Sequence, residues 1–209
     1  MFGTTDLALF VASGLLLNVT PGPDTMYILG RSATHGRRGG VVAALGIGAG
    51  CFIHIFAVAL GLSALIAASA TAFTLVKWVG AAYLIYIGIA LLLTRPRTVE
   101  LSPVRHATSL RTVFLQGFLT NALNPKVALF FLAFLPQFTA PDAANPTTGF
   151  LFLGLIFNCT GTLWNLLVAW SAAAFAERLR GSNDVALWLS RTAGALFVYF
   201  GVRLGASNE

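Results

Sequence analysis

The strongest constraint on this chain is a series of apolar stretches, each close to the length of a helix that crosses a membrane. A bilayer is spanned by about 20 apolar residues, and we predict six such spans, which occupy most of the 209 residues. Only 10% of the residues are charged, against about a quarter in a soluble domain, and the mean hydropathy is +0.81. These values exclude a water-soluble globule and predict an all-α polytopic membrane protein with a single membrane domain over 1–209. The predicted spans are 7–29, 40–66, 75–93, 113–135, 149–175 and 185–204.

The distribution of basic residues predicts the orientation of these spans, because Lys and Arg gather in short cytoplasmic loops. If the N-terminus and the second and fourth connectors lie on one side, that side receives only Lys77 and Arg203. Both termini are therefore predicted to face the periplasm or exterior, and the net charge of +6 is explained without a nucleic acid partner. The other side receives Arg31, Arg37, Arg38, Arg95, Arg97, Arg105, Arg111, Arg178, Arg180 and Arg191.

The two halves of the chain resemble each other. Thr20-Pro21 aligns with Asn124-Pro125, and further matches follow at offsets that drift from 104 to 113 residues. Because each half has an odd number of spans, the second half would enter the membrane inverted, an arrangement typical of secondary transporters. We predict a first three-helix repeat over 1–97, a cytoplasmic linker over 98–111 and a second three-helix repeat over 112–209.

Two proline motifs interrupt the first and fourth predicted spans, at Thr20-Pro21-Gly22-Pro23-Asp24 and Asn124-Pro125-Lys126. Proline lacks a backbone donor and glycine lacks side-chain restraint, so the helix must break or kink at these points. Unwound backbone is tolerated at membrane depth only where protein or a water-filled cavity satisfies it. The motifs therefore predict a binding surface built from all eight of these residues. A purely structural kink is the alternative.

Asp24 is the only acidic residue well within a predicted span, and Lys126 is the only lysine so placed. Charges inside a membrane are costly and are normally paired and functional. An ion pair between the two side chains is one interpretation. We favour a site in which Asp24 holds an ammonium group or a coupling proton and Lys126 holds a carboxylate, as a zwitterion would require.

Further polar side chains inside the predicted spans are candidates for lining a pore. Hydrogen bonds between helices are the alternative and commoner use of such residues. The candidates are Asn18, His54, Asn121, Asn158, Trp164 and Asn165.

Other chemistry finds little support in the sequence. Cys51 and His54 lie one helical turn apart, and Cys159 is the counterpart of Cys51 in the second half, so a soft-metal site is an alternative. No metal site is assigned, because two isolated cysteines and one histidine are weak grounds. No nucleophile-and-base pair and no Walker A lysine motif occurs. We therefore expect no enzyme activity and no cofactor.

The two proline motifs, together with the glycine ladder Gly36, Gly40, Gly46 and Gly50 and the run Phe134-Leu135-Pro136-Gln137-Phe138, closely resemble the LysE/RhtB family of amino-acid exporters. The similarity covers nearly the whole chain. Thr20 stands where the family usually has asparagine, so a different side chain is available for hydrogen bonding at this break.

This resemblance implies a bacterial inner-membrane secondary transporter that exports amino acids or close derivatives, driven by protons or the membrane potential. Its partners would be a small amino-acid substrate and the lipid bilayer, with a homodimer as a further expectation. A single acid facing a single base favours a neutral zwitterion over a dication. Because related proteins are linked to cadmium, heavy-metal efflux through Cys51, His54 and Cys159 is the alternative function.

Overall fold

The computed structural model is built of α-helices over the residues that it describes, which are 3–62, 69–93, 109–140, 145–172 and 183–206. Two short segments depart from the α-helix: Ala57–Leu62 is π-helical and Leu135–Phe138 is a 3₁₀ turn. The α-helices are α1 (Leu7–Val19), α2 (Pro23–Phe56), α3 (Ala70–Leu92), α4 (Leu110–Ala122), α5 (Pro125–Phe134), α6 (Pro146–Trp170) and α7 (Asn183–Ala206).

Helix length and apolar composition identify the segments that can cross a membrane. α2 with its π-helical continuation (Pro23–Leu62) and α6 are each long and apolar enough, and the pair of α4 and Pro125–Phe138, bent by 45°, meets the same requirement if it is one span. Shorter apolar segments in the described part of the chain are Leu7–Val19, Trp78–Leu92 and Gly194–Arg203. The protein is thus an all-helical membrane protein, and the count of six spans stays a prediction.

Both predicted helix breaks are present in the structure. α1 ends at Val19, the chain is extended at Thr20 and Gly22, and α2 begins at Pro23. α4 ends at Ala122, and Pro125 occupies the first turn of α5. Proline at the first helical position loses no hydrogen bond, since the N–H groups there have no intrahelical partner. The prolines therefore begin a new helix after each interruption.

The break predicted between the first two spans, over 31–39, lies inside α2. Non-helical backbone angles at His35 and Gly36 divide α2 into two helical segments there, and a Cβ atom added to Gly117 of α4 would contact both Tyr27 of the first segment and Ala43 of the second. Gly36 has φ 63° and ψ −167°, a conformation that is essentially restricted to glycine. This one residue lets two helical segments meet without a loop.

Two glycines of the ladder let α2 pack closely against α4. A Cβ atom at Gly46 or Gly50 would collide with the backbone of α4, at Phe114 and Phe118. In a membrane, small residues of this kind allow helix backbones to approach each other. α3 and α7 meet in the same way, through Gly88 and Gly194.

The N-terminal segment pairs with the chain that follows α5. Thr4 forms an antiparallel bridge with Thr139, and the Thr5 N–H donates to the Phe138 carbonyl at 2.9 Å. Beneath this pair the aromatic ring of Phe10 packs against that of Phe138 at 5.4 Å. The N-terminus and the connector after α5 therefore lie at the same end of the molecule.

Some sequence predictions fall outside the described residues. They are most of the cytoplasmic linker, the ends of the second and fifth predicted spans, and the side chains of Arg95, Arg97, Arg105, Arg178 and Arg180.

Candidate functional site

A small cavity lies where the two helix breaks meet. Its volume is about 30 Å³, and since a single water needs roughly 10–15 Å³, it has room for about two waters. Polar groups from both proline motifs and apolar side chains from α1, α5 and α6 form its wall. The lining residues are Leu17, Asn18, Thr20, Gly22, Pro23, Asp24, Thr25, Asn124, Lys126, Val127, Phe157 and Asn165.

The ammonium group of Lys126 lies at the C-terminal end of α1. Its Nζ donates to the carbonyl oxygens of Leu17 at 3.2 Å and Thr20 at 3.3 Å. The last carbonyls of a helix lack partners in their own helix and carry its partial negative charge. Lys126 therefore caps α1 from the opposite half of the chain.

The carboxylate of Asp24 lies in the first turn of α2. Its Oδ2 accepts a hydrogen bond from Asn121 Nδ2 at 2.8 Å, whereas its Oδ1 is buried and accepts no bond of full hydrogen-bond geometry from the described residues, although the Asn124 side chain also interacts with the carboxylate. A buried polar atom without a partner is costly in a native structure and calls for an explanation. The orphaned oxygen belongs to a residue that lines the cavity, so a donor bound there would satisfy it.

The two charged side chains share the cavity wall without forming a salt bridge in the described structure. Lys126 is bonded to backbone carbonyls, and Asp24 is bonded to an amide. The interpretation as a simple ion pair therefore does not describe this state of the protein. Each side chain is instead held by a neutral group that a ligand could replace.

The other residues of the two motifs have separate tasks. The Thr20 hydroxyl donates to the Leu16 carbonyl at 2.7 Å, and the Asn124 side chain accepts from the Lys126 N–H at 3.0 Å, which caps α5. Pro21 lies in the first break and Pro125 begins α5 after the second, and neither lines the cavity. They shape the backbone that the other motif residues depend on.

The predicted pore-lining residues divide into two groups. Asn18 and Asn165 line the cavity, and Asn18 Nδ2 is a buried donor without a partner in the described part of the chain. Asn121 contacts Asp24 directly.

The remaining three lie away from the cavity wall. His54 is buried and bonds to the Asn121 carbonyl at 2.8 Å. Asn158 accepts from the Thr162 hydroxyl at 3.3 Å. Trp164 packs against the apolar cluster between α2 and α6.

The sequence analysis missed the apolar part of the wall, formed by Leu17, Val127 and Phe157, and the adjacent Thr25. Leucine, valine and phenylalanine occur throughout the predicted spans, so nothing in the sequence separates those that face a cavity from those that face lipid. Thr25 follows Asp24 directly, and this adjacency is the one signal that could have identified it.

The structure does not assemble the alternative metal site. Cys51 is buried and Cys159 is exposed. Among the residues with described positions, no three His, Cys, Asp or Glu side chains are close enough to hold a metal ion together.

Transporters typically build their binding sites from discontinuous helices. A bundle of apolar helices with a polar cavity between two broken helices therefore indicates the class of membrane transport proteins. Comparison with known proteins identifies the family. Residues 15–208 match the family described as LysE type translocator, and the chain belongs to this family. The resemblance inferred from the motifs is thus confirmed.

Curated relatives match over nearly their whole length. An uncharacterized membrane protein of Pseudomonas aeruginosa is 31% identical, with 99% of this chain and 97% of the relative covered. A homoserine/homoserine lactone efflux protein of Salmonella typhimurium is 30% identical, with 96% of each chain covered. A leucine efflux protein of Enterobacter sp. (strain 638) is 27% identical, with 98% and 97% covered. No solved structure matches the chain.

Proposed function

We propose that this protein exports neutral amino acids from the cytoplasm and binds them as zwitterions between Asp24 and Lys126. The observation that carries the proposal is the cavity at the two breaks, where a carboxylate oxygen without a partner and an ammonium group line one wall. A zwitterion offers one group to each. The named functions of two relatives, leucine efflux and homoserine or homoserine lactone efflux, support this substrate class.

The ammonium group of the substrate would donate to Asp24 Oδ1. Its carboxylate would lie near Lys126 Nζ and the first turn of α2, whose N–H groups and partial positive charge favour an anion. Transporters place the N-termini of half-helices against anionic substrate groups in this way. Asn18 and Asn165 would supply neutral donors and acceptors from α1 and α6.

Binding would change the partners of Lys126. To reach a carboxylate, its ammonium group must leave the carbonyls of Leu17 and Thr20, which would uncap the end of α1. The cavity volume of about 30 Å³ is also too small for an amino acid, since it accommodates only about two waters. The structure is therefore consistent with a closed state that must widen around the substrate, and Val127 and Phe157 would then contact its side chain.

We further propose six spans arranged as two inverted three-helix repeats. Asn18 lies one residue before the end of α1, and Asn121 lies one residue before the end of α4. A Cβ atom added to Gly161 of α6 would lie 3.0 Å from Asn18, and one added to Gly50 of α2 would lie 3.1 Å from Asn121. Each half thus packs the end of its broken helix against a glycine of the other half, and this reciprocal packing supports the proposed repeat.

Contacts at the two ends of the molecule support the proposed topology, with both termini external. The bridge between Thr4 and Thr139 joins the N-terminus to the fourth connector. Arg37 lies 5.6 Å from the Trp170 ring, which brings the first connector near the fifth. These groupings are the ones that the arginine distribution predicts. In a bacterial inner membrane, the arginine-rich end would face the cytoplasm.

Sidedness has a direct test in two exposed residues of the described chain. A membrane-impermeant maleimide should label Thr148→Cys from outside intact cells, in a background without the native cysteines. Arg111→Cys should react only after the cells are opened. Labelling of Arg111→Cys in intact cells would refute the topology.

Coupling to protons or to the membrane potential is part of the proposal, with Asp24 as the proton-binding group if protons are used. The homodimer expected from the sequence stays a prediction, which crosslinking of the protein in native membranes tests.

Transport itself is tested with purified protein in proteoliposomes. Vesicles preloaded with unlabelled leucine should accumulate radiolabelled leucine or homoserine by exchange, and an imposed proton gradient or potential should change the net rate. The absence of exchange across a panel of all common amino acids would refute the proposed function.

A further inference from the structure

His54 of α2 donates a hydrogen bond that is separate from the cavity wall. Its side chain is 6% exposed, and its Nε2 lies 2.8 Å from the backbone carbonyl oxygen of Asn121. A carbonyl oxygen can only accept, so Nε2 carries the proton in this bond. The phenyl ring of Phe131, on α5, lies 6.1 Å from the imidazole and covers it from the other side of the break.

The carbonyl that His54 reaches belongs to the last turn of α4. Such carbonyls have no partner in their own helix, and Asn121 O here accepts from the Asn124 N–H at 2.8 Å as well as from His54. Both lone pairs of this oxygen are thus used. His54 therefore fixes the end of α4 at the point where the chain breaks before α5.

The same asparagine holds the carboxylate of Asp24. Asn121 is 4% exposed, and its side-chain Nδ2 donates to Asp24 Oδ2 at 2.8 Å. The bond from His54 fixes the backbone of Asn121, and the bond from the Asn121 side chain holds the Asp24 carboxylate. The position of Asp24 Oδ1 therefore depends on both hydrogen bonds. The chain of contacts runs from His54 through Asn121 to the oxygen proposed to receive the substrate.

The two breaks are capped in a reciprocal way. Lys126, from the second half, caps α1, and His54, from the first half, caps α4. Lys126 lines the cavity whereas His54 does not. A substrate in the cavity could therefore replace the carbonyl partners of Lys126, but it would not reach His54.

We infer that His54 is a positioning residue, which holds Asn121 so that Asp24 presents its free carboxylate oxygen to the substrate. Its test by transport rests on the proposed function. In this role His54 contacts no substrate, binds no metal and transfers no proton.

Three variants separate these roles. His54→Gln keeps an N–H donor near the position of Nε2 but cannot titrate, His54→Leu keeps bulk without a donor, and Cys51→Ala changes a buried residue one turn earlier on the same helix. Transport by His54→Gln and Cys51→Ala should keep a KM within about twofold of the wild type and an unchanged pH profile. For His54→Leu we expect KM to rise at least about tenfold with a smaller change in kcat, because the binding group is misplaced.

The results that would overturn the inference are distinct. A wild-type KM in His54→Leu would show that the hydrogen bond from His54 to the Asn121 carbonyl does not position Asp24. An equal loss of transport in His54→Gln and His54→Leu, or a changed pH profile of transport in His54→Gln, would assign a titrating role to His54 instead.

A measurement without substrate keeps the inference separate from the proposed function. Labelling of Asp24 by a hydrophobic carbodiimide, followed by mass spectrometry, should be faster in His54→Leu than in the wild type and unchanged in His54→Gln. If the wild type transports no amino acid, the proposed function fails while this comparison still tests the positioning. Equal labelling in all three proteins would contradict the inference.

Discussion

Replacement of Lys126 by methionine separates its role as a helix cap from its role in binding. The change removes two hydrogen bonds, to the carbonyl oxygens of Leu17 at 3.2 Å and Thr20 at 3.3 Å. Interhelical hydrogen bonds in membranes contribute about 0.6 kcal/mol each on average, so roughly 1 kcal/mol is lost. The variant also removes a charge whose placement in the membrane costs about 3 kcal/mol.

These magnitudes predict a variant that is no less stable than the wild type but does not transport. If the ammonium group binds the substrate carboxylate, its loss leaves a desolvated charge unpaired, which typically costs about 2–5 kcal/mol. Since 1.4 kcal/mol corresponds to a factor of about ten, we expect leucine exchange to fall by at least about thirtyfold. Lys126→Arg retains the charge and is the matched control, with partial transport expected.

The assay combines thermal unfolding of the detergent-solubilised variants with exchange of radiolabelled leucine in proteoliposomes. Unimpaired exchange by Lys126→Met would refute the clamp and leave Lys126 as a structural cap. Unfolding at a much lower temperature than the wild type would refute the energetic reasoning, because the cap would then contribute far more than two ordinary bonds.

Two further predictions test the fold. Gly50→Ala should lower the melting temperature, because its Cβ would collide with the backbone of α4 at Phe118. Gly30→Ala, also in α2, should leave the melting temperature unchanged, since nothing lies within 4 Å of its Cβ. Equal melting temperatures of the two variants would contradict the close packing. Thr4→Cys with Thr139→Cys should form a disulfide on mild oxidation, because directly opposed residues of an antiparallel pair have the Cα separation that a disulfide needs. Persistence of both free thiols would show that the N-terminal segment does not pair there in the membrane.

The sequence predicted the helical membrane fold and the positions of both breaks because these depend on local chemistry. Apolar length sets the spans, and proline at positions 21, 23 and 125 cannot continue a helix. The break between the first two spans was predicted for a related reason, because a short polar run with several arginines is typical of a connector. Nothing in this run indicates that the chain redirects at His35 and Gly36 without a loop.

The sequence indicated several residues that line the cavity, but not their contacts. Asp24 and Lys126 stand out in the sequence as charges within apolar spans. Their partners, Asn121 and the carbonyls of Leu17 and Thr20, depend on how the halves pack. A helix that faces lipid on one side and protein on the other is apolar on both, so periodicity could not separate cavity-lining residues such as Phe157 from the rest.

Asp24→Asn tests whether the carboxylate of Asp24 binds the transported amino acid, because the amide oxygen can still accept from Asn121 while the negative charge is lost. In proteoliposomes, we expect the variant to insert and fold like the wild type but to exchange neither leucine nor any other amino acid that the wild type exchanges. Exchange by Asp24→Asn at the wild-type rate and KM would show that this carboxylate does not bind the substrate.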